Sequence, residues 1–112
     1  MTPVRPLARR RYRRRTVRVS VVYRSAYGCA RALATTLGAG GMFIATEEPL
    51  PKHMKLEVDF ALPEHPEQQH RIPATVVWCN SPKDAQSHAL GMGISFDDPR
   101  ACATLAVELE RD

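Results

Sequence analysis

The chain has 112 residues, 44% of them hydrophobic, and a formal charge of +4 at pH 7. That length fits one domain, and the hydrophobic content is too high for a disordered chain. No stretch approaches the roughly 18 consecutive apolar residues of a transmembrane helix, and the basic N-terminus lacks the apolar core of a secretory signal, so a cytoplasmic protein without a membrane span is expected.

The charge is divided unevenly along the chain. Residues 1–46 hold ten arginines with no lysine and no acid, a formal charge of +10, whereas residues 47–112 carry −6. This division indicates an anionic partner for the basic part. Four partners are open at this point: nucleic acid, membrane lipid, a phosphorylated small molecule, or the acidic part of the chain itself.

The N-terminal third begins with basic residues and continues into a strand. Residues 1–8 are predicted to be a flexible lead, and the arginine cluster of residues 9–15 follows. Alternation of β-branched and polar residues then predicts a strand over residues 16–24. Its apolar face carries Val17, Val19, Val21 and Tyr23.

A glycine cluster separates the next two predicted strands. Residues 29–36 form a weaker strand pattern, and residues 42–46 form a short apolar one. Between them, Gly38-Ala39-Gly40-Gly41 predicts a tight turn or bulge, where the backbone takes a positive φ or approaches a neighbour closely.

Three further strands are predicted over residues 55–62, 71–80 and 90–96. Their alternation places these apolar residues on inward faces: Leu56, Val58, Phe60, Ile72, Ala74, Val76 and Trp78. A long polar connection is predicted to precede the last strand.

The chain ends in a predicted helix over about residues 98–110. Asp98 is a good N-cap, and Pro99 suits the first helical position. The apolar stripe of this helix consists of Ala101, Cys102, Leu105, Ala106 and Leu109. Six short strands followed by one helix predict an all-β fold, a small antiparallel barrel of about residues 16–96.

Outside the arginine cluster, the polar residues form no catalytic or metal-binding pattern. No serine has the G-x-S-x-G context of a hydrolase, and no histidine or cysteine has metal-ligand spacing. An enzyme is therefore not expected, nor is a bound metal or cofactor. The histidines predicted to be solvated loop residues are His53, His65, His70 and His88. The cysteines predicted to be reduced, half-buried thiols are Cys29, Cys79 and Cys102.

The arginine cluster contains three overlapping R-x-x-x-R pairs. The planar guanidinium fork binds phosphate oxygens in bidentate fashion, stacks on flat rings and pairs with the O6 and N7 edge of guanine. The choice of arginine over lysine favours a ligand of defined shape, and a basic tail that binds polyanions nonspecifically is the alternative. The pairs are Arg9/Arg13, Arg10/Arg14 and Arg11/Arg15.

Four pieces of the sequence, in this order, resemble the PilZ domain, a family of cyclic di-GMP receptors. They are the R-x-x-x-R region, Gly41 with Met42-Phe43-Ile44, the step Pro49-Leu50-Pro51, and Val76-Val77-Trp78 followed by Gly91-Met92-Gly93-Ile94-Ser95-Phe96. The resemblance covers about residues 9–112. It implies a six-stranded antiparallel barrel with a C-terminal helix, in agreement with the strand pattern.

The resemblance implies two ligand-binding motifs. R-x-x-x-R arginines would clamp phosphates and guanine edges, and the best register uses Arg10 and Arg14, because Arg14 then precedes Tyr23 of the first strand by nine residues. The registers Arg9/Arg13 and Arg11/Arg15 stay open.

The second motif of the family, [D/N]-x-S-x-x-G, falls on residues 36–41 and departs from the pattern. Thr36 replaces the acid or amide, Gly38 replaces the serine, and Gly41 alone is kept. Loss of two hydrogen-bonding side chains is expected to cost ~1–3 kcal/mol of binding free energy. The spare arginines would offset part of that loss.

Three functions follow from the resemblance and the charge. The first is a cyclic di-GMP receptor that changes conformation on binding and signals to an as yet unidentified effector protein. The second is a degenerate PilZ adaptor that no longer binds the dinucleotide and acts by protein–protein contact, for example in surface motility. The third and weakest is a basic-armed nucleic-acid binder, disfavoured because Tyr12 is the only aromatic residue within the arginine cluster.

Overall fold

A computed structural model describes residues 14–80 and 90–110, with the backbone alone at Arg14. Within them lie six strands and one helix: β1 (Arg14–Ser25), β2 (Gly28–Gly38), β3 (Gly41–Ala45), β4 (Lys55–Phe60), β5 (His70–Asn80), β6 (Gly91–Phe96) and α1 (Pro99–Glu110). The predicted lead, Arg9 to Arg13 and the polar connection after β5 lie outside the described residues.

The strands form a closed antiparallel barrel in the order β1-β2-β3-β6-β5-β4. This architecture, with its C-terminal helix, confirms the predicted fold. Inward-facing side chains fill the barrel because every second residue of a strand points to the same side. Val19, Val21 and Tyr23 of β1 are buried as predicted, and so are Leu56, Val58 and Phe60 of β4.

Three β-bulges interrupt the ladders of the barrel. The register shifts between Thr16 and Val19 in β1, between Ala34 and Thr36 in β2, and between Val76 and Trp78 in β5. A bulge inserts an extra residue and changes which face the following side chains occupy. The sequence prediction that Trp78 faces inward is therefore wrong: Val77 is the extra residue, and Trp78 is 48% exposed.

The glycine cluster forms the turn between β2 and β3, as predicted. Gly38 and Gly41 are cross-strand partners, with Ala39 and Gly40 between them. A Cβ atom at Gly41 would overlap the main-chain carbonyl oxygen of Ile94 in β6. Close approach of two strands, rather than a positive φ, is thus the reason for glycine at this position.

Helix α1 begins as the sequence predicts. The Asp98 carboxylate accepts a hydrogen bond from the Arg100 N–H at 3.0 Å, which satisfies a free donor of the first turn. Cys102 and Leu105 are buried, as their place in the predicted stripe requires, but Glu108 is buried as well. In the described part of the chain, no helix has the length and apolar character needed to cross a membrane.

The prediction of solvated loop histidines is wrong for His70, which is only 7% exposed at the start of β5. Its Nε2 atom lies 2.5 Å from Oε1 of Glu108, which is 2% exposed. The imidazole also stacks on Phe60, with ring centroids 5.1 Å apart. Burial of both polar groups is tolerated because each supplies a partner for the other. The pair joins α1 to the barrel.

The cysteines have three different environments instead of the one predicted. Cys29 is exposed, Cys79 is half-buried and Cys102 is buried, and all three are free thiols. Burial is the main cause that raises the pKa of the Cys102 thiol above its usual value, and the nearby carboxylates of Asp98 and Asp97 add to it. Only Cys79 therefore fits the expected half-buried state.

Candidate functional site

The described residues of the two predicted ligand motifs meet on neighbouring strands. Arg14, the first residue of β1, is the cross-strand partner of Gly38, the last residue of β2, and Gly38 is in turn paired with Gly41 in β3. Thr36 lies two residues before Gly38 on the same strand. Of the six predicted arginines, Arg14 and Arg15 are described, and Arg9, Arg10, Arg11 and Arg13 lie outside the described residues.

These pairings belong to a longer row on the outer surface of the barrel, which we call the glycine row. It comprises Arg14, Gly38, Gly41, Ser95, Thr75 and Lys55, each paired with the next across strands. At its far end, Thr75 donates a hydrogen bond to Asp97 at 2.7 Å and accepts one from the Lys55 ammonium at 3.0 Å. The middle of the row carries little side-chain bulk.

A second outward row lies beside the first, and we call it the aromatic row. It comprises Thr16, Thr36, Phe43, Gly93 and Trp78, and each of these residues is the cross-strand partner of the next, over five strands. The rings of Phe43 and Trp78 are 5.5 Å apart and tilted by 49°. The side chain of Trp78 covers Gly93, where an added Cβ atom would lie 3.5 Å from the indole ring.

The three bulges of the barrel all border the aromatic row. Thr16, Thr36 and Trp78 each stand at one side of a register shift. Bulges redirect side chains and are frequent next to functional sites. Here they bring onto one surface side chains that regular alternation would separate. The bulge in β5 explains why the sequence does not predict Trp78 as a site residue, whereas Phe43 lies in a short apolar strand that gives no signal of a site.

The hydroxyl group of Thr36 is unusual within this surface. Its oxygen is buried yet has no hydrogen-bond partner among the described residues. A buried polar atom without a partner carries a desolvation cost, so such atoms are uncommon in folded proteins. The residue that replaces the acid or amide of the family motif therefore keeps an unused hydrogen-bonding group beside Phe43.

Arg15 lies on the opposite side of β1 from the two rows. Its cross-strand partner is Leu37, which is fully buried, whereas the adjacent Thr16 pairs with Thr36. The Arg15 guanidinium donates a hydrogen bond at 3.3 Å to Glu64 in the connection between β4 and β5. The Arg15 side chain therefore lies on the other face of β1 from Thr16.

A second ion-pair cluster joins the basic and acidic parts of the chain. Arg24 in β1 contacts Asp59 in β4 at 2.8 Å, and Arg71 in β5 contacts the same carboxylate at 3.0 Å. Burial acts to raise the pKa of Asp59, but the hydrogen bonds and charges of Arg71 and Arg24 outweigh it, so the pKa lies below its ordinary value. One anionic partner of the basic part is thus the acidic part itself.

The two rows together form a surface suited to a flat, anionic ligand. The exposed ring of Trp78 and the half-buried ring of Phe43 offer stacking, and the glycines allow close approach to the backbone. In the sequence, the R-x-x-x-R segment ends at Arg14, the cross-strand partner of Gly38. Among the described residues, no group of three or more histidine, cysteine or carboxylate side chains could hold a metal ion.

Comparison with known proteins identifies a family and a set of similar folds. The PilZ domain family matches residues 8–109 of this chain. No curated protein sequence matches it. The solved structure of the Bacillus subtilis inhibitor of motility (MotI/DgrA) is similar, with 23% identity and a TM-score of 0.72 over 92% of this chain and 50% of that chain. The present chain therefore spans half the length of that protein.

Two other solved structures have the same fold. The PilZ domain of YcgR from Escherichia coli, with c-di-GMP, is 17% identical, with a TM-score of 0.66 over 92% of both chains. The PilZ domain of CeSA from a cellulose-synthesizing bacterium is 16% identical, with a TM-score of 0.60 over 88% of this chain and 98% of that chain. Both likenesses show the barrel architecture.

Proposed function

The chain belongs to the PilZ family, and from that premise we propose that it is a cyclic di-GMP receptor that signals to a partner protein and has no enzymatic activity of its own. The observation that carries the proposal is the pairing of Arg14 with Gly38, which brings the end of the R-x-x-x-R segment to the second motif. The c-di-GMP in the similar YcgR structure supports this choice of ligand.

Each part of the surface has a task in this proposal. The arginines of residues 9–14 bind the phosphates through charge-assisted, bidentate hydrogen bonds. Phe43 and Trp78 contact a guanine ring, and the Thr36 hydroxyl donates to or accepts from its polar edge. Because Gly38 offers only backbone, base recognition rests more on stacking and arginine than in members with the complete motif.

The single tryptophan of the chain provides the test. Trp78 belongs to the aromatic row, so cyclic di-GMP is expected to change its fluorescence saturably, with binding heat measured in parallel by calorimetry. GMP, which has one base and no phosphodiester ring, is the control ligand and should produce a far weaker change. Neither fluorescence change nor heat at high micromolar cyclic di-GMP would refute the receptor proposal.

Restoring the family residues of the second motif should strengthen binding. Thr36→Asn with Gly38→Ser adds an amide and a hydroxyl. Recovery of ~1–3 kcal/mol of binding free energy corresponds to a Kd that is about 10- to 100-fold lower. Calorimetric titration of the double variant measures the change. Thr104→Asn, at an exposed position of α1, is the matched control and should leave Kd nearly unchanged. An unaltered Kd in the double variant would contradict the assignment of residues 36–41.

A PilZ adaptor that lacks ligand binding is the second candidate. It is favoured by the two departures at Thr36 and Gly38 and by the exposure of Val77 and Trp78, which are apolar side chains available for protein contact. The similarity to an inhibitor of motility makes motility control a reasonable setting for such contact. A protein that does not bind cyclic di-GMP but still binds its effector through Trp78 would establish this function.

Nucleic-acid binding is the third candidate. An affinity for DNA that falls steeply with salt and is not reduced by competing cyclic di-GMP would identify it.

A further inference from the structure

We propose that the Arg15–Glu64 ion pair anchors the start of β1, with Arg15 acting as a positioning residue and not as a ligand contact. The inference deepens the proposed function and rests on it for its binding test. It removes Arg11/Arg15 from the three candidate registers. It also assigns a role to Glu64, an acid in the connection between β4 and β5.

The position of Arg15 within the barrel is the first support. Residues paired in register with Arg15 form an inward row whose other members are fully buried: Leu37, Met42, Ile94 and Val76. Arg15 is at the β1 end of this row, and its side chain is 37% exposed. A ligand on the two outward rows therefore lies on the other side of β1 from the Arg15 side chain.

The pairing of β1 is the second support. β4 pairs with β1 only at Val22, Tyr23 and Arg24, far from the first residues of β1. β2 holds those first residues on one side, and that ladder shifts register directly after Thr16. Within the described chain, the Arg15–Glu64 hydrogen bond is thus a link from the start of β1 to the β4–β5 side of the barrel.

The functional consequence follows from the neighbour of Arg15. Arg14 precedes it directly and is placed opposite Gly38 by the same short piece of ladder. If the start of β1 detaches, Arg14 loses its place opposite Gly38, and ordering it on the ligand costs additional conformational entropy. A preserved anchor therefore strengthens ligand binding without touching the ligand.

A competing role for Glu64 predicts the opposite result. If Glu64 acted as an internal anion that competes with the ligand phosphate for Arg15, removing its charge would tighten binding. The anchor instead predicts weaker binding for Glu64→Gln and for Arg15→Gln. Each should raise the Kd for cyclic di-GMP about two- to five-fold, the range of a partly exposed ion pair.

The binding experiment uses a charge exchange. Glu64→Arg combined with Arg15→Glu should return Kd to within about twofold of the wild-type value, because the pair is rebuilt in reverse. A direct phosphate contact by Arg15 cannot survive that exchange. Glu67→Gln, an exposed acid in the same connection, is the matched control. Unchanged or tighter binding in Glu64→Gln, or no recovery in the double variant, would overturn the proposal.

A second measurement separates this inference from the proposed function. Amide hydrogen exchange at residues 15–17, without ligand, should be faster in Glu64→Gln than in Glu67→Gln, because the start of β1 opens more often. If the wild-type protein binds no cyclic di-GMP, the receptor proposal fails while this measurement still decides the anchor. Equal exchange in the two variants would refute the anchor even if the ligand binds.

Discussion

Replacing Arg14 by alanine is expected to raise the Kd for cyclic di-GMP about 10- to 100-fold. Hydrogen bonds to charged groups contribute about 1.5–3 kcal/mol each, and a phosphate left without its guanidinium loses that contribution. Calorimetry measures the Kd. Arg10→Ala should have a similar effect, since the preferred register joins these two residues, and the double variant should bind no detectable ligand.

The control for this prediction removes the same charge from a distant surface. Arg100 is exposed on the first turn of α1, and Arg100→Ala should change Kd less than twofold. Loss of binding confined to Arg14→Ala and Arg10→Ala supports the assigned register. Equal weakening by all three variants would instead indicate general electrostatic attraction, which salt screens strongly. Full retention of binding in Arg14→Ala would contradict the register.

Replacing Glu108 by alanine is expected to lower the free energy of unfolding by about 3–5 kcal/mol, because it leaves His70 buried without its partner. A loss of that size corresponds to a fall in Tm of about 10–20 °C for a domain of this length. Thermal and urea denaturation measure it. The effect should be large because both side chains are more than nine-tenths buried, and the ring of His70 also stacks on Phe60.

Two further variants separate the buried pair from the helix itself. Glu110→Ala removes an exposed acid two residues along α1 and should change stability by less than about 0.5 kcal/mol. His70→Phe with Glu108→Leu replaces both polar groups by apolar ones of similar size and should recover most of the lost stability. Equal stability of Glu108→Ala and Glu110→Ala would show that the His70 contact contributes little.

The pair of His70 and Glu108 also illustrates the limits of periodicity. Alternation and turn signals identified the six strands, the inward faces of β1 and β4, and the cap of α1, since each depends on residues close in sequence. His70 and Glu108 are 38 residues apart in the sequence, and each is a polar residue type that is usually exposed to solvent. Nothing local in the sequence distinguishes them from exposed polar residues.

The candidate site divides in the same way. The R-x-x-x-R segment, Thr36, Gly38 and Gly41 were found from short motifs and their similarity to a family, and β1–β2–β3 pairing then brought Arg14, Gly38 and Gly41 together. Strict alternation predicts the wrong face for Trp78 because it does not account for the extra residue Val77. A bulge depends on the neighbouring strand as much as on its own sequence.

By itself, the sequence determined the charge division, the strand and helix order, and the residues that could bind phosphate. Only the tertiary structure decided how two adjacent arginines are placed: the backbone of Arg14 is opposite Gly38, whereas Arg15 pairs with Leu37 and contacts Glu64. Adjacent residues of one strand point to opposite faces, so a one-residue difference in register exchanges an outward position for an inward one. That register is fixed by the pairing of β1 with β2 and by the register shift after Thr16, and no local pattern in an arginine cluster encodes it.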